Sequence, residues 1–120
     1  MSNQKSTERG LMMVFSNASS EDQIAAFHQW YDEVHLKEVL QVPGVISACR
    51  YEYGDDQMLP GANPFGKQFL AVYEIEAKNL KSVSDHMMAT SADRTHSDTL
   101  ELDPLPTLAI FKQHGPRIEK

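Results

Sequence analysis

Three side chains that can hold or move a proton lie in one short stretch: the phenol of Tyr31, the imidazole of His35 and the carboxylate of Glu38. At about 100° per residue, His35 and Glu38 fall in the same stripe of a predicted helix as the apolar residues Phe27 and Val34. Burying polar groups costs free energy unless each group finds a partner. The pattern therefore indicates either a satisfied internal hydrogen-bond network or the working face of a pocket.

The chemistry that this trio suits is acid–base catalysis. An imidazole has an ordinary pKa of about 6.5, so both of its protonation states are accessible near neutral pH. A carboxylate one turn away raises that pKa and burial lowers it, so the net direction stays open at this stage. In this hypothesis His35 moves a proton at carbon or oxygen, Glu38 orients the imidazole and Tyr31 stabilises an enolate. The competing interpretation is a buried histidine that Glu38 or a backbone carbonyl satisfies.

Composition narrows the class of protein. A chain of 120 residues is long enough for one domain with its own core. Its single cysteine, Cys49, excludes an internal disulfide, and no signal peptide or apolar run of about 20 residues is visible, so we expect a cytoplasmic protein with no membrane partner. Seventeen acidic against eleven basic residues give a net charge of −6, which disfavours nucleic acid as a partner.

Cofactor and metal motifs give little support to other chemistries. The sequence has no Gly-rich phosphate loop, CxxC pair or GxSxG elbow, so we expect no cofactor. His28, Asp32 and His35 are spaced so that one helix face could present three metal ligands. A second ligand motif is missing, and we therefore expect no metal site. Cys49 lies in a predicted strand and is expected to be a small buried residue rather than a nucleophile.

The predicted elements form an α+β domain. Residues 1–9 are polar and expected to be mobile, and residues 10–120 form a single domain. Hydrophobic patterns predict strands at 11–15, 45–53, 68–75 and 107–112, one helix capped by Ser19 or Ser20 that ends near Val39, and another that starts at Asn79 or Ser82. The order β-α-β-β-α-β is that of ferredoxin-like folds, in which both helices cover one face of a four-stranded antiparallel sheet. The long loop at 55–66 is a candidate flap over a site.

The strands are apolar on both faces, which predicts a partner for the uncovered face. In the first strand Met12 and Val14 alternate with Leu11, Met13 and Phe15, and the third and fourth strands behave in the same way. A sheet that left one such face in water would exceed the few hundred Å² of apolar patch that is usual on a monomer. We therefore expect a homodimer with two sheets packed face to face.

The segment Trp30–Leu40, followed by Val42–Val45 and Ala48–Glu52, resembles the dimeric α/β-barrel proteins of the EthD-like group. The order of elements from about Gly10 to His114 is similar as well. The resemblance implies kinship with cofactor-free polyketide cyclases, muconolactone isomerases and small monooxygenases, and hence a dimeric α/β barrel with a pocket between sheet and helices in each subunit. It also implies that His35 lies in the pocket, because several relatives have a histidine there and some use it for acid–base work.

The residues and the resemblance together predict a cofactor-independent lyase, isomerase or cyclase that acts on a small apolar carbonyl compound, such as a lactone, a polyketide or an aromatic catabolite. The expected catalytic residues are His35, Tyr31 and Glu38, and the expected substrate contacts are Trp30, Arg50, Tyr51, Tyr73, His86 and Met87. Arg50 and Tyr51 are adjacent in a strand, so only one of them can face the pocket.

Two details weaken parts of that assignment. Arg50 could instead pair with Glu52 or Glu74 across the sheet. Relatives that catalyse aldol cyclisation often carry a histidine followed by proline near the position of His86, and here Met87 follows. His86 is therefore as well explained by exposure to solvent as by a place at the pocket edge.

Two other functions remain open. One is a non-catalytic dimeric protein that binds a hydrophobic metabolite and delivers it to an oxygenase; it needs an apolar cavity but not the polar trio. The other is a small cofactor-free monooxygenase in which an electron-rich substrate itself activates oxygen.

Overall fold

A computed structural model describes residues 6–120 of the chain; Met1–Lys5 lie outside the described residues. The predicted mobile segment 1–9 falls partly on those five residues. Its last two residues belong to strand β1 (Glu8–Ser16), because Glu8 pairs with Ala77 and Arg9 with Glu76 of the neighbouring strand.

The molecule is an α+β fold built on one open, four-stranded antiparallel sheet. Strands β2 (Val45–Glu52), β3 (Phe69–Ala77) and β4 (Thr107–Lys112) join β1 in the spatial order β2-β3-β1-β4. All three strand pairs are antiparallel. This order and the two intervening helical segments are compatible with the predicted ferredoxin-like arrangement.

The first helical segment changes its geometry part-way along. It starts with a 3₁₀ turn at Glu21–Gln23 and continues as helix α1 (Ile24–Trp30), a π-helical turn at Tyr31–His35 and helix α2 (Leu36–Val39). Ser20, one of the two predicted caps, occupies the N-cap position of the 3₁₀ turn, but its hydroxyl makes no capping hydrogen bond.

The second helix begins as predicted. Helix α3 (Leu80–Ala89) is capped by Asn79, whose side-chain oxygen accepts a hydrogen bond of 3.0 Å from the backbone N–H of Ser82. A 3₁₀ turn at Ser91–Asp93 follows it. After this turn, Thr95 contacts Trp30 and Glu38 of the first helical segment before the chain enters β4.

The core lies between the helices and one face of the sheet. Its members are apolar or aromatic and almost fully buried: Met12, Phe27, Tyr31, Val39, Val42, Phe69, Ala71, Tyr73, Ile75, Leu80 and Val83. Close packing reaches the turn before β2, where Gly44 has a φ of +95° and an added Cβ would lie 2.7 Å from Val83 Cγ2. A side chain at Gly44 would therefore both strain the backbone and collide with α3.

The other face of the sheet, called here the open face, has no helix over it among the described elements. It carries rows of paired residues that include Leu11 with Phe111 and Phe15 with Leu70. Phe65, from the loop between β2 and β3, stacks on Phe15 with ring centroids 5.2 Å apart. Cys49 is exposed on this face, so its predicted burial is wrong for the single chain. Within residues 6–120 no helix is long and apolar enough to span a membrane.

Candidate functional site

Two tyrosines place phenol groups inside the core. Tyr31, in the π-helical turn, is 2% exposed, and Tyr73, on the helix-covered face of β3, is 1% exposed. Burial raises the pKa of both phenols, so both stay protonated at neutral pH. A hydrogen-bonding interaction between the two hydroxyl groups lowers the pKa of Tyr31 and raises that of Tyr73. The two hydroxyls nevertheless do not form a regular hydrogen bond, and in the described part of the chain Tyr73 Oη has no hydrogen-bond partner.

His35 lies between two aromatic rings. Its imidazole stacks on Trp30 at 4.7 Å and meets the edge of Tyr31 at 4.9 Å, measured between ring centroids. Burial, helped by the positive charge of Arg94, lowers the pKa of His35 to about 4, although the Glu38 carboxylate acts in the opposite direction. The imidazole is therefore neutral at pH 7. Its Nδ1 is buried and makes no hydrogen bond within residues 6–120.

Glu38 is engaged by the segment that follows α3. Its Oε1 accepts a hydrogen bond of 2.8 Å from the backbone N–H of Thr95, and its Oε2 accepts one of 2.8 Å from Thr95 Oγ1. Trp30 Nε1 donates to the Thr95 carbonyl at 3.2 Å. Burial by itself raises the pKa of Glu38, but the two hydrogen bonds from Thr95 act in the opposite direction. As a result, the pKa of Glu38 lies below its ordinary value. The carboxylate thus acts on His35 through its charge.

Arg50 projects from β2 towards the helices, so the opposite face of the strand carries Tyr51. Its guanidinium lies 4.4 Å from the centre of the Tyr31 ring, and the side chain is 12% exposed. Nη1 lies 3.0 Å from Asp32 Oδ1 and 3.0 Å from His28 Nδ1. Because a guanidinium only donates, His28 Nδ1 must be the acceptor. The pairing with Glu52 or Glu74 considered from the sequence is replaced by this contact with the helix.

The metal arrangement considered from the sequence is not formed. Two of its three residues, His28 and Asp32, both contact Arg50. In residues 6–120 no group of three or more His, Cys, Asp and Glu side chains is arranged to hold a metal ion.

A cavity of about 490 Å³ opens between α3 and the β1–β4 side of the sheet; we call it the helix-side pocket. Its wall is formed mainly by Met12, Val14, Met87, Leu108, Ile110 and Arg94. Met12 is paired with Tyr73 in the sheet, so the pocket adjoins the buried tyrosines. Arg94 links the two regions, because it lines the pocket and its charge affects the pKa of both His35 and Tyr73.

Other cavities lie elsewhere on the molecule. A cavity of about 680 Å³ on the open face is lined by Leu11, Phe15, Tyr51, Phe65 and Phe111. It is larger than the helix-side pocket but lies across the sheet from His35, so we do not connect it with proton transfer. A cavity of about 290 Å³ lies beside the C-terminal end of α3, where Glu38, His86 and Arg94 line it.

The structure brings five of the predicted residues into one layer between sheet and helix: Trp30, Tyr31, His35, Arg50 and Tyr73. Met87 lines the helix-side pocket, whereas His86 is exposed and Tyr51 is on the open face. Sequence reasoning missed Arg94 and Thr95, because both lie in an irregular segment whose path no periodic pattern reveals.

No family model, curated protein or solved structure matches this chain. The EthD-like resemblance therefore depends on the sequence features described above.

Proposed function

We propose that this protein is a cofactor-independent lyase, isomerase or cyclase of the EthD-like dimeric α/β-barrel type, acting on a small apolar carbonyl compound. One observation carries the proposal: His35 Nδ1, Tyr73 Oη and Arg50 Nε are all buried, and none of them has a hydrogen-bond partner within residues 6–120. Such groups cost free energy in the folded state and are found where a ligand, a water molecule or chemistry accounts for them.

The protonation states suit enolate chemistry. A neutral His35 can accept a proton from carbon, and the protonated phenols of Tyr31 and Tyr73 can donate hydrogen bonds to an oxyanion. A pKa near 4 makes the free imidazole a weak base. The negative charge of a developing enolate would raise that pKa as the proton moves, and the nearby Glu38 carboxylate acts in the same direction.

The helix-side pocket is the proposed substrate site. Its volume of about 490 Å³ is in the range of small-molecule sites, and its wall is largely apolar. The pairing of Met12 with Tyr73 supports access from the pocket to the phenol layer.

The test is exchange of carbon-bound hydrogen. Wild-type protein in D₂O should accelerate deuterium incorporation next to the carbonyl of β-keto esters or β,γ-unsaturated lactones, followed by NMR. His35→Gln should abolish the acceleration while the circular dichroism spectrum is retained. Equal acceleration by His35→Gln would remove His35 from the chemistry.

A non-catalytic carrier of a hydrophobic metabolite is the second candidate. It is favoured by the finding that His35, Tyr31 and Glu38 are not among the residues lining the helix-side pocket. NMR titration of His35 with and without ligand separates the two functions. A ligand-dependent pKa favours the enzyme, and an unchanged pKa favours the carrier.

We also propose that the open face binds the same face of a second copy, which would give the dimeric barrel. The cavity of about 680 Å³ on that face and the exposure of Leu11, Tyr51 and Phe111 support this arrangement.

A further inference from the structure

Arg94 differs from the other arginines in the described part of the chain. Arg9 lies 3.5 Å from Glu76, Arg50 lies 3.0 Å from Asp32, and Arg117 pairs with Glu119. Within residues 6–120 Arg94 forms no such ion pair with a carboxylate. The nearby carboxylate of Glu38 accepts a hydrogen bond from Thr95 at each oxygen and interacts with Arg94 only through its charge.

Neutral groups at the end of α3 hold the Arg94 guanidinium in place. Nη2 donates to the Met87 carbonyl at 2.6 Å, and Nη1 donates to Thr90 Oγ1 at 2.9 Å. Thr90 Oγ1 is itself fixed, because it donates to the His86 carbonyl at 2.7 Å. The guanidinium is thus oriented without a direct ion pair to a carboxylate, and within residues 6–120 three of its five N–H donors bind no protein acceptor.

The surroundings of Arg94 favour one chemical class of ligand. The helix-side pocket that it lines is otherwise formed by methionine, leucine, isoleucine, valine and alanine residues and two serines, Ser84 and Ser91. An apolar cavity with one oriented polar group selects a ligand that is apolar along most of its length and polar at one end. A guanidinium fork matches a carboxylate in geometry and in charge.

We propose that the helix-side pocket binds a small apolar carboxylate, with its hydrocarbon part against Met12, Leu108 and Ile110 and its carboxylate on Arg94. This inference rests on the proposed function in one respect. If the protein is the proposed enzyme, its substrate is an apolar carbonyl compound that also carries a carboxylate. The binding step itself does not require catalysis.

The experiment compares 4-phenylbutanoate with its neutral amide, 4-phenylbutanamide, by isothermal titration calorimetry and NMR chemical-shift mapping on the full chain. Wild-type protein should bind the carboxylate at least tenfold more tightly than the amide. Arg94→Gln should reduce carboxylate affinity to that of the amide and leave amide affinity unchanged. Equal affinities in wild type, or full carboxylate affinity in Arg94→Gln, would overturn the proposal.

Two further variants secure the interpretation. Ser84→Phe, which fills the pocket from α3, should weaken both ligands at least tenfold; unchanged binding would show that the ligands sit elsewhere and would overturn the assignment. Arg94 also bonds the end of α3, so its loss can affect folding. The comparison of the two ligands in wild-type protein avoids this problem, because it depends on no variant. His35→Gln should keep the carboxylate preference, so a failure of the catalytic proposal leaves this test intact.

Discussion

His35 shows what burial does to an ionisable side chain whose Nδ1 makes no hydrogen bond within residues 6–120. Its folded-state pKa of about 4 lies below its ordinary value of 6.5, so between these pH values the unfolded chain binds a proton that the folded chain does not. The free energy of unfolding must therefore fall as the pH decreases through this window. From pH 7 to pH 5, His35 is expected to reduce the free energy of unfolding by about 2 kcal/mol.

His35→Gln tests this directly, because glutamine cannot take up the proton. In urea denaturation at pH 7 and pH 5, the variant should lose about 2 kcal/mol less stability than the wild type over the same interval. The exposed His114 provides the matched control, and His114→Gln should behave as wild type. The same pH dependence in wild type and His35→Gln would contradict the lowered pKa.

Tyr73 offers a second test at the residue scale. Its hydroxyl is buried and makes no hydrogen bond with the described residues, so the desolvation cost is not offset by a bond. We expect Tyr73→Phe to leave the free energy of unfolding unchanged or to raise it, by about 1–3 kcal/mol at most. The proposed deuterium exchange should slow at the same time, because an oxyanion donor is lost.

Chemical denaturation and the exchange assay measure the two effects of Tyr73→Phe separately. Tyr51→Phe, on the exposed open face, is the control and should change neither. Destabilisation of Tyr73→Phe by more than 1 kcal/mol would mean that the hydroxyl has a structural partner.

At the scale of elements, the π-helical turn decides which side chains of the first helical segment point inward. Phe27 and Val39 are twelve positions apart, which in a regular α-helix would put them about 120° apart, yet both are fully buried. In the π turn the Leu36 N–H bonds to the Tyr31 carbonyl, five residues back, and this wider turn compensates for the extra residue. Single-turn π-bulges of this kind are frequent at functional sites.

Deletion of the exposed Glu33 should turn the segment into a regular α-helix. Phe27 and Val39 would then be eleven positions apart and about 20° apart in direction, so the core contacts of both residues persist. His35 would rotate relative to Trp30 and Tyr31. We expect a folded protein that loses less than the 3–5 kcal/mol typical of truncating a large core aromatic, but in which the pKa of His35 measured by NMR moves towards 6.5.

Deletion of Lys37, which is exposed but lies outside the π turn, is the comparison. This deletion keeps the π turn but rotates Val39 away from the core. It should therefore destabilise the protein more than the deletion of Glu33 does. The reverse order would show that the π turn is not what aligns Phe27 with Val39.

The sequence predicted most of the fold because alternation and helical periodicity are local signals. They predicted all four strands with small boundary shifts, and they put Arg50 and Tyr51 on opposite faces of β2, as confirmed by the register. The π turn was missed because its hydrogen bonds depend on how the segment packs on the sheet. Thr95 was missed for a related reason, because its contacts with Glu38 and Trp30 join segments far apart in the chain. Arg94 bonds to residues four and seven positions before it, and it was missed because it lies outside any periodic element.

At the scale of the whole molecule, the sheet separates two kinds of surface. The helix-covered face holds the buried layer of His35, Tyr31 and Tyr73 and the helix-side pocket, whereas the open face holds the larger apolar cavity and the stacked pair Phe15 and Phe65. If the open face pairs with a second copy, dimerisation and ligand binding occur on opposite sides of one sheet. A variant on either face should then affect only one of the two properties.

Strand β4 supplies a matched pair of positions for this last test. Phe111 and Leu108 are each 61% exposed, but Phe111 is on the open face and Leu108 lines the helix-side pocket. Glutamate at Phe111 would put a charge into the proposed interface, where an unpaired buried charge is strongly unfavourable. We expect Phe111→Glu to be monomeric by size-exclusion chromatography with light scattering, whereas Leu108→Glu should keep the wild-type dimer mass and lose binding of 4-phenylbutanoate. The dimer proposal would be refuted if the wild-type chain stayed monomeric at all concentrations. If only Leu108→Glu dissociated the dimer, the interface would have to lie on the helix-covered face of the sheet.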